Sequence, residues 1–352
     1  MSPKNQQNFA MVLLRWWNTA GRKNLPWQLP ATPYRVWLSE IMLQQTRVET
    51  VITYFNRFCA RFPTLESLAL ASLDEVLQLW SGLGYYARAR NLHRTAQLLV
   101  TQYPGAFPGD VESLCQLPGI GRSTAGAILA LGMEQFAVIL DGNVKRVLCR
   151  YFAISGWPGS SAVNRQLWQL ATSLTPRQRI GDYTQAIMDL GATVCSRSPQ
   201  CTHCPVADHC QALLQGTITH YPTPKPRKVL PVREVQMLLL RDQHQILLQQ
   251  QPPTGLWGGL WVLPQINVGQ NAESWCFEKL RISARLQDTW PVFRHSFSHY
   301  HLLIQPHILF CKPAEAVAEA SYEWLDLHQS TQPAVPAPVH RLLQQLKVSA
   351  AL

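Results

Sequence analysis

Apolar positions recur with a helical period over the first two-thirds of the chain and with strand-like runs over the last third. Val144, Val147, Leu148 and Tyr151 fall at i, i+3, i+4 and i+7, the stripe of an amphipathic helix. Leu68–Leu79 and Leu92–Val100 read the same way, and strand-like alternation is scarce, so Phe9 to about Leu214 is expected to be all-α. Beyond Glu234 the pattern turns β. Val235–Leu240 and Gln245–Gln250 flank a polar turn at Arg241–His244 and predict a hairpin. Leu260–Leu263 and Val292–Phe310 supply further strands, while Ala272–Leu286 and Pro338–Lys347 are expected to be helices. Between the two regions, Pro222, Pro224, Pro226 and Pro231 alternate with Lys225, Arg227, Lys228 and Arg233. Repeated proline forbids a continuous helix and favours an extended connector. The expected organisation is a helical domain over 1–215, a Pro/basic connector over 216–234 and an α+β domain over 235–352.

Composition narrows the class. With 47% hydrophobic and 9% aromatic residues in 352, the chain has enough apolar surface for packed cores, which excludes wholesale disorder. No apolar run approaches the roughly 20 residues of a membrane helix, and the polar start lacks a secretory signal. The nine cysteines, an odd number without a signal, suit a reducing compartment where clustered cysteines bind metal. The bacterial cytoplasm is the expected location. Residues 1–215 hold 19 basic and 12 acidic groups, whereas residues 235–352 hold 8 of each. A polyanion would therefore engage the helical region and the connector.

Three motifs and two carboxylates carry candidate chemistry. Cys195, Cys201, Cys204 and Cys210 lie within 16 residues, able to close around one tetrahedral zinc or an iron–sulfur cluster. Such a site would hold a loop bearing Arg197 and His203 against a phosphate backbone. Leu117–Ala127 places Gly119 and Gly121 in a turn between helical segments, freeing backbone N–H groups around Arg122 and Ser123 for a DNA phosphate. It has the look of a helix-hairpin-helix. Gly82–Asn91 sets Tyr85 and Tyr86 beside Arg88 and Arg90, aromatic wedges backed by cations for phosphates. Glu40 has Val36, Trp37 and Leu43 as helical neighbours, company that raises a carboxyl pKa and suits a general acid. Asp141 precedes a helix as an N-cap, which favours its ionised form. One protonated and one charged carboxyl is the division of labour that cleaves glycosidic bonds.

Together, Trp37–Thr46, Leu83–Tyr86, Leu117–Ala127 and Leu140–Arg146, in this order, resemble the MutY family of adenine DNA glycosylases. That family lies within the helix-hairpin-helix superfamily that includes endonuclease III. The resemblance runs from Leu25-Pro-Trp27 to the final helix. It implies an all-α glycosylase domain with a [4Fe–4S] cluster on the four cysteines in the loop 195–210, followed by an α+β Nudix-like domain. It also implies that Glu40 protonates adenine, that Asp141 stabilises or captures the sugar cation, and that Asn143 supports Asp141. Leu25, Trp27 and Gln185 would line the adenine pocket, and Gln45 and Tyr85 would probe the partner base. Bifunctional relatives carry Lys where this chain has Ser123, so no Schiff base forms and a monofunctional enzyme is expected. Gly255–Pro264 and Phe293–Tyr300 resemble the family's C-terminal domain. Phe297, Ser298 and His299 would read 8-oxoguanine there, and no Glu-rich run follows for a Nudix Mg²⁺. Cys195 and Cys201 enclose five residues where the family usually has six. The implied partner is double-stranded DNA bearing A·8-oxoguanine or A·G mispairs, bound by a monomer. Competing readings are a glycosylase for another mismatched base, a non-catalytic damage binder, and a nucleotide pyrophosphatase, which the missing Glu cluster disfavours.

Overall fold

The computed structural model describes residues 3–103, 106–226, 229–242, 245–311, 321–327, 329 and 333–350. Its contacts divide the chain into two compact units, Met1–Leu70 with Asn91–Arg227, and Ala71–Arg90 with Lys228–Leu352. The helices are α1 (Pro3–Ala20), α2 (Pro33–Leu43), α3 (Val48–Arg61), α4 (Leu65–Leu70), α5 (Leu73–Trp80), α6 (Ala87–Gln102), α7 (Val111–Cys115) and α8 (Arg122–Ala127), then α9 (Gly142–Tyr151), α10 (Ser161–Leu174), α11 (Ile180–Asp189) and α12 (Gln211–Leu214). Among the described residues none is long and apolar enough to cross a membrane.

In the first unit, the predicted stripe of α9 is buried against Leu13 of α1, Leu167 of α10 and Ile187 of α11. Cys210 and Ala212 belong to the same core, with Cys195 and Cys204 packed on it, so the cysteine loop is an extension of the core. Helix α2 begins with Thr32, whose side chain accepts from Arg35 N, and with Pro33 in the first turn, where a missing N–H costs nothing. It buries Val36, Trp37, Leu38, Ile41 and Met42. The stretch Leu68–Leu79, read as one helix, is two. Ser72 accepts from Glu75 N and caps α5, which belongs to the second unit, and Asp74 and Glu75 favour a fresh N-terminus there.

In the second unit, β1 (Val232–Arg241), β2 (Gln245–Gln250), β3 (Trp261–Val262), β4 (Gln265–Ile266), β5 (Ala284–Thr289), β6 (Phe293–Ser296), β7 (His301–Cys311) and β8 (Tyr322–Asp326) form one mixed sheet in the order β3-β2-β1-β7-β5. Strands β4, β6 and β8 pair with β1, β7 and β2. β1 runs parallel to β7 from Val232↔His301 to Arg241↔Phe310. Gln243 and His244 of the expected turn lie outside the described residues, but β1 and β2 are antiparallel as a hairpin requires. Met237 and Leu239 face a core with α14 (Ala337–Ala350), while Leu238 and Leu240 face one with α13 (Ala272–Trp275). Covering both faces explains the unbroken apolar run of β1. The expected helix Ala272–Leu286 stops early. After α13 and a π-helical turn over Cys276–Leu280, Arg281 turns left-handed at φ 60°, and Ala284–Thr289 joins the sheet beside β7.

Candidate active site

Two carboxyl groups 101 positions apart in sequence are electrostatic neighbours in the first unit. Glu40 lies on α2, partly buried, and its carboxyl is pushed up to about 8, first by desolvation and then by the negative charge of Asp141. Asp141 is the N-cap of α9, its Oδ1 accepting from Val144 N at 2.7 Å and its Oδ2 from Asn143 Nδ2 at 3.1 Å. The cap does not hold this carboxyl low, as the sequence suggested. Burial outweighs the backbone donors, the nearby Arg146 and the Asn143 amide, and the net direction is upward. The two acids still differ. Glu40 is raised by both influences acting on it, whereas Asp141 is raised by burial alone and has four opposing ones. Every influence on Glu40 favours its protonated form, whereas Asp141 keeps groups around it that favour its charge.

A residue the motifs did not single out supports this cap. Arg146, one turn into α9, donates to Asn143 Oδ1 at 2.8 Å, to Gly191 O at 2.6 Å and to Cys195 O at 2.7 Å. The buried Arg150 donates to Ser196 O at 2.6 Å and to Cys195 Sγ at 3.4 Å. Both sit on the i+3/i+4 face behind Asn143, the one sequence signal that could have found them. The hydroxyl of Ser123 accepts from Leu140 N at 3.0 Å, beside Asp141.

Cys195, Cys201, Cys204 and Cys210 all line one small cavity, so the five-residue first gap does reach. Among the described residues no three His, Cys, Asp or Glu side chains converge tightly enough for a single metal ion. A cubane takes one thiolate on each of four irons, and the four cysteines that line this cavity supply that number. Burial raises the thiols of Cys201 and Cys210, and that of Cys204 to about 12. As ligands they would be thiolates, and a cationic centre among them would balance the charge that burial disfavours. The donor set fits a [4Fe–4S] cluster.

A cavity of about 620 Å³ lies against the 25–31 segment and α11, lined among others by Trp17, Trp27, Val36, Leu131 and Gln185. Gln185 is buried and donates from Nε2 to Asp189 Oδ1 at 2.9 Å. Asp189, fully buried, also takes Arg22 N at 2.8 Å and the Arg22 guanidinium at 2.7 Å, and sequence reasoning missed it. A carboxylate only accepts, so the Gln185 amide nitrogen must face it, leaving the carbonyl end directed away. Trp27 packs edge-on against Phe55 at 5.4 Å. Leu25, Glu40 and Asp141 do not line this cavity, so the structure places Trp27 and Gln185 there and Leu25 beside it, its N bonded to Gln28 Oε1 at 2.9 Å.

In the turn before α8, Gly119 has φ 81°, and a Cβ there would come 3.0 Å from Asn91 Cβ. Gly121 does not share that need. Its φ of −94° is open to any residue, and nothing lies within 4 Å of its Cβ position. Exposed Arg122 stacks its guanidinium 4.0 Å from the Trp168 ring centre. Gln45 in the first unit and Tyr85 in the second are both exposed with left-handed backbones, φ 58° and 51°. Such strain costs roughly 1–3 kcal/mol per residue and concentrates where function demands it. The arginines near Tyr85 turn inward instead of toward solvent phosphates. Buried Arg88 donates to Gly84 O at 3.1 Å, and Arg90 to Gly258 O at 2.8 Å. Also in the second unit, Phe297, Ser298 and His299 form a tight turn closed by Phe297 N to Tyr300 O at 2.9 Å. Glu273 is engaged there too, accepting from Leu286 N at 2.7 Å.

Three family models match successive stretches of the chain. The HhH-GPD superfamily of base excision DNA repair proteins matches residues 38–173, the iron–sulfur binding domain of endonuclease III residues 196–210, and the NUDIX domain residues 235–345. A structure of a thermostable thymine-DNA glycosylase superposes with a TM-score of 0.55 at 27% identity, covering 60% of this chain and 98% of that one. An endonuclease III–DNA complex, 21% identical, shares the fold at a TM-score of 0.52 over 61% of this chain and 98% of its own. The class defined by fold and site is a helix-hairpin-helix base-excision DNA glycosylase with an iron–sulfur loop and a Nudix-like domain. The adenine DNA glycosylase of Buchnera aphidicola subsp. Acyrthosiphon pisum is 38% identical over 342 residues, spanning 96% of this chain and 97% of that protein. That of Rattus norvegicus is 38% identical across 86% of this chain and 70% of its own length. The chain belongs to the adenine DNA glycosylase family. It is an enzyme of base excision repair that hydrolyses the N-glycosidic bond of adenine in DNA, and its cofactor is a [4Fe–4S] cluster.

Proposed function

We propose that the enzyme removes adenine mispaired with 8-oxoguanine or guanine, as a monofunctional hydrolase acting as a monomer in the bacterial cytoplasm. The observation that carries the chemistry is the Glu40–Asp141 pair, two carboxyl groups near enough to influence each other, with Asp141 held by Val144 N and Asn143 Nδ2; in this reading Glu40 carries the proton and Asp141 the charge. The target adenine leaves the stack before it reacts. Glu40 donates its proton to a ring nitrogen, the bond from C1′ to N9 breaks, and its electron pair stays on the departing base. Asp141, aligned by Asn143 and the start of α9, faces the electron-poor C1′ as counter-ion or covalent partner. Water then adds at C1′, its released proton returning to Glu40, and an abasic site remains.

Trp27 and Gln185, with Leu25 adjoining, recognise the flipped base. The Gln185 carbonyl, fixed by Asp189, accepts from the exocyclic amine of adenine. Gln45 and Tyr85 enter the stack at the partner base, and Phe297, Ser298 and His299 read 8-oxoguanine. The N–H groups of Gly119, Gly121, Arg122 and Ser123 hold a phosphate. Cys195, Cys201, Cys204 and Cys210 ligate the cluster, which fastens the loop carrying Arg197 and His203 to the core. Ser123, already accepting from Leu140 N, offers no amine for a Schiff base. Functionally the chain divides at 1–215, 216–234 and 235–352.

The test is single-turnover release of free adenine from a duplex with one 8-oxoguanine·adenine pair. The wild type should release adenine without cutting the strand. Glu40→Gln should be slower by about 10²–10⁴-fold, and a thymine·adenine duplex should be inert. Release of a different base, or none from cluster-replete protein, defeats the reading.

A further inference from the structure

The second unit carries an aromatic residue held in a backbone conformation that a side chain of its size rarely takes. Trp257 has φ 56° within the loop Gly255–Gly259, where Gly255 and Gly259 are also left-handed. Glycine would relieve the strain at 257, yet the position holds the largest side chain. Its surroundings enforce the geometry. Arg90 donates to Gly258 O at 2.8 Å, Gly259 N reaches Gln251 O and Pro252 O at 3.1 Å, and Leu260 N closes on Trp257 O at 2.9 Å. A Cβ on Gly258 would meet Pro253 O at 2.6 Å, so the loop is fixed from both sides. Strain over-determined in this way marks a side chain that must stand in one place.

That place is the wall of an aromatic cluster. The Trp257 ring lies 5.8 Å from Phe297 and 6.4 Å from His295. His295 is edge-on to Phe297 at 4.6 Å, and Phe297 lies 4.7 Å from Tyr300. Arg233 covers Tyr300 at 4.8 Å. Burial lowers the pKa of His295 and favours its neutral ring, so this surface suits a flat purine better than a phosphate. Arg90, which fastens the Trp257 loop, follows Tyr85 by five positions in the same unit.

We propose that Trp257 is a positioning residue for the choice of partner base: its ring holds Phe297, and with it the turn that meets an oxidised purine opposite adenine. The inference rests on the proposed reading of 8-oxoguanine by that turn. It is tested on the full-length, cluster-replete chain by single-turnover adenine release from 8-oxoguanine·adenine and guanine·adenine duplexes.

Trp257→Gly, which relieves the backbone, and Trp257→Leu, which keeps apolar volume without a ring, should each lower the ratio of the two rates. The expected fall is about three- to ten-fold, the worth of one aromatic pair. Trp257→Phe should restore most of it, and Trp257→Gly combined with Phe297→Ala should lose no more than Phe297→Ala alone. A merely structural role would lower both rates in parallel together with the melting temperature, and that outcome overturns the proposal. So does an unchanged ratio in the Gly and Leu variants while Phe297→Ala loses it. A wild type without any preference for 8-oxoguanine overturns the reading itself as well.

Discussion

Glu40 is held at about 8 against an ordinary value of 4.5, and this has consequences for rate and for stability. As pH rises through about 8 the acid loses its proton, so the single-turnover rate should fall on the alkaline side. Stability runs with the same sign. Between 4.5 and about 8 the folded state keeps a proton that the unfolded chain releases, so stability declines as pH rises across that window. Glu40→Gln has nothing to titrate there. Its melting temperature should match or exceed that of wild type, by a margin that widens from pH 5 to pH 8. A margin independent of pH would place the shift elsewhere. The sequence made the direction for Glu40 legible through Val36, Trp37 and Leu43. It misled for Asp141, because an N-cap is a local pattern whereas the burial opposing it comes from tertiary packing.

Helix α9 joins the proposed catalytic carboxylate to the cysteine loop. Its cap is Asp141, its first turn holds Asn143, and its next turn holds Arg146, bonded both to Asn143 and to the carbonyls of Gly191 and Cys195. Arg146→Ala removes the donor from Asn143 Oδ1 and Gly191 O and leaves Cys195 O only the longer contact from Arg150, each lost bond costing about 1–3 kcal/mol where buried. The variant should melt at lower temperature, lose visible cluster absorption faster on standing, and release adenine at least about ten-fold more slowly. Loss of the cluster at a wild-type rate of base release would separate the two ends of the helix. The stripe and the cap of α9 were legible because both are local. The bridge was not, because its acceptors are main-chain carbonyls some 45–49 residues away, which no side-chain pattern records. The same limit explains Ala272–Leu286. Nothing in its apolar content announces that Arg281 turns left-handed and sends the remainder to pair with β7.

At the scale of the whole molecule, the excess of basic charge lies in the first part of the chain, and the proposed reading puts recognition of the base opposite adenine in the neutral last part. Residues 1–215 hold 19 basic against 12 acidic groups, while residues 235–352 are balanced at 8 each. Phosphate contacts give affinity that weakens with salt, and base contacts give selectivity that does not. Deleting residues 235–352 is a poor way to separate them. Asp74, Tyr86 and Arg90 are bonded to Gln250, Val335 and Gly258 within the second unit, so truncation would strip residues 71–90 of partners. Point variants of the full chain are cleaner. Arg197, exposed on the cysteine loop, is the natural probe of the first term. Arg197→Ala should weaken binding to matched and mismatched duplexes alike and reduce the slope of log K against log salt by about 1. Ser298→Ala, at the exposed turn of the second unit, should leave that slope alone and lower the ratio of 8-oxoguanine to guanine rates. The measurement is duplex binding at several salt concentrations beside single-turnover release. If both variants shifted both readouts, affinity and selectivity would share one surface, and the neutral charge of residues 235–352 would need another explanation.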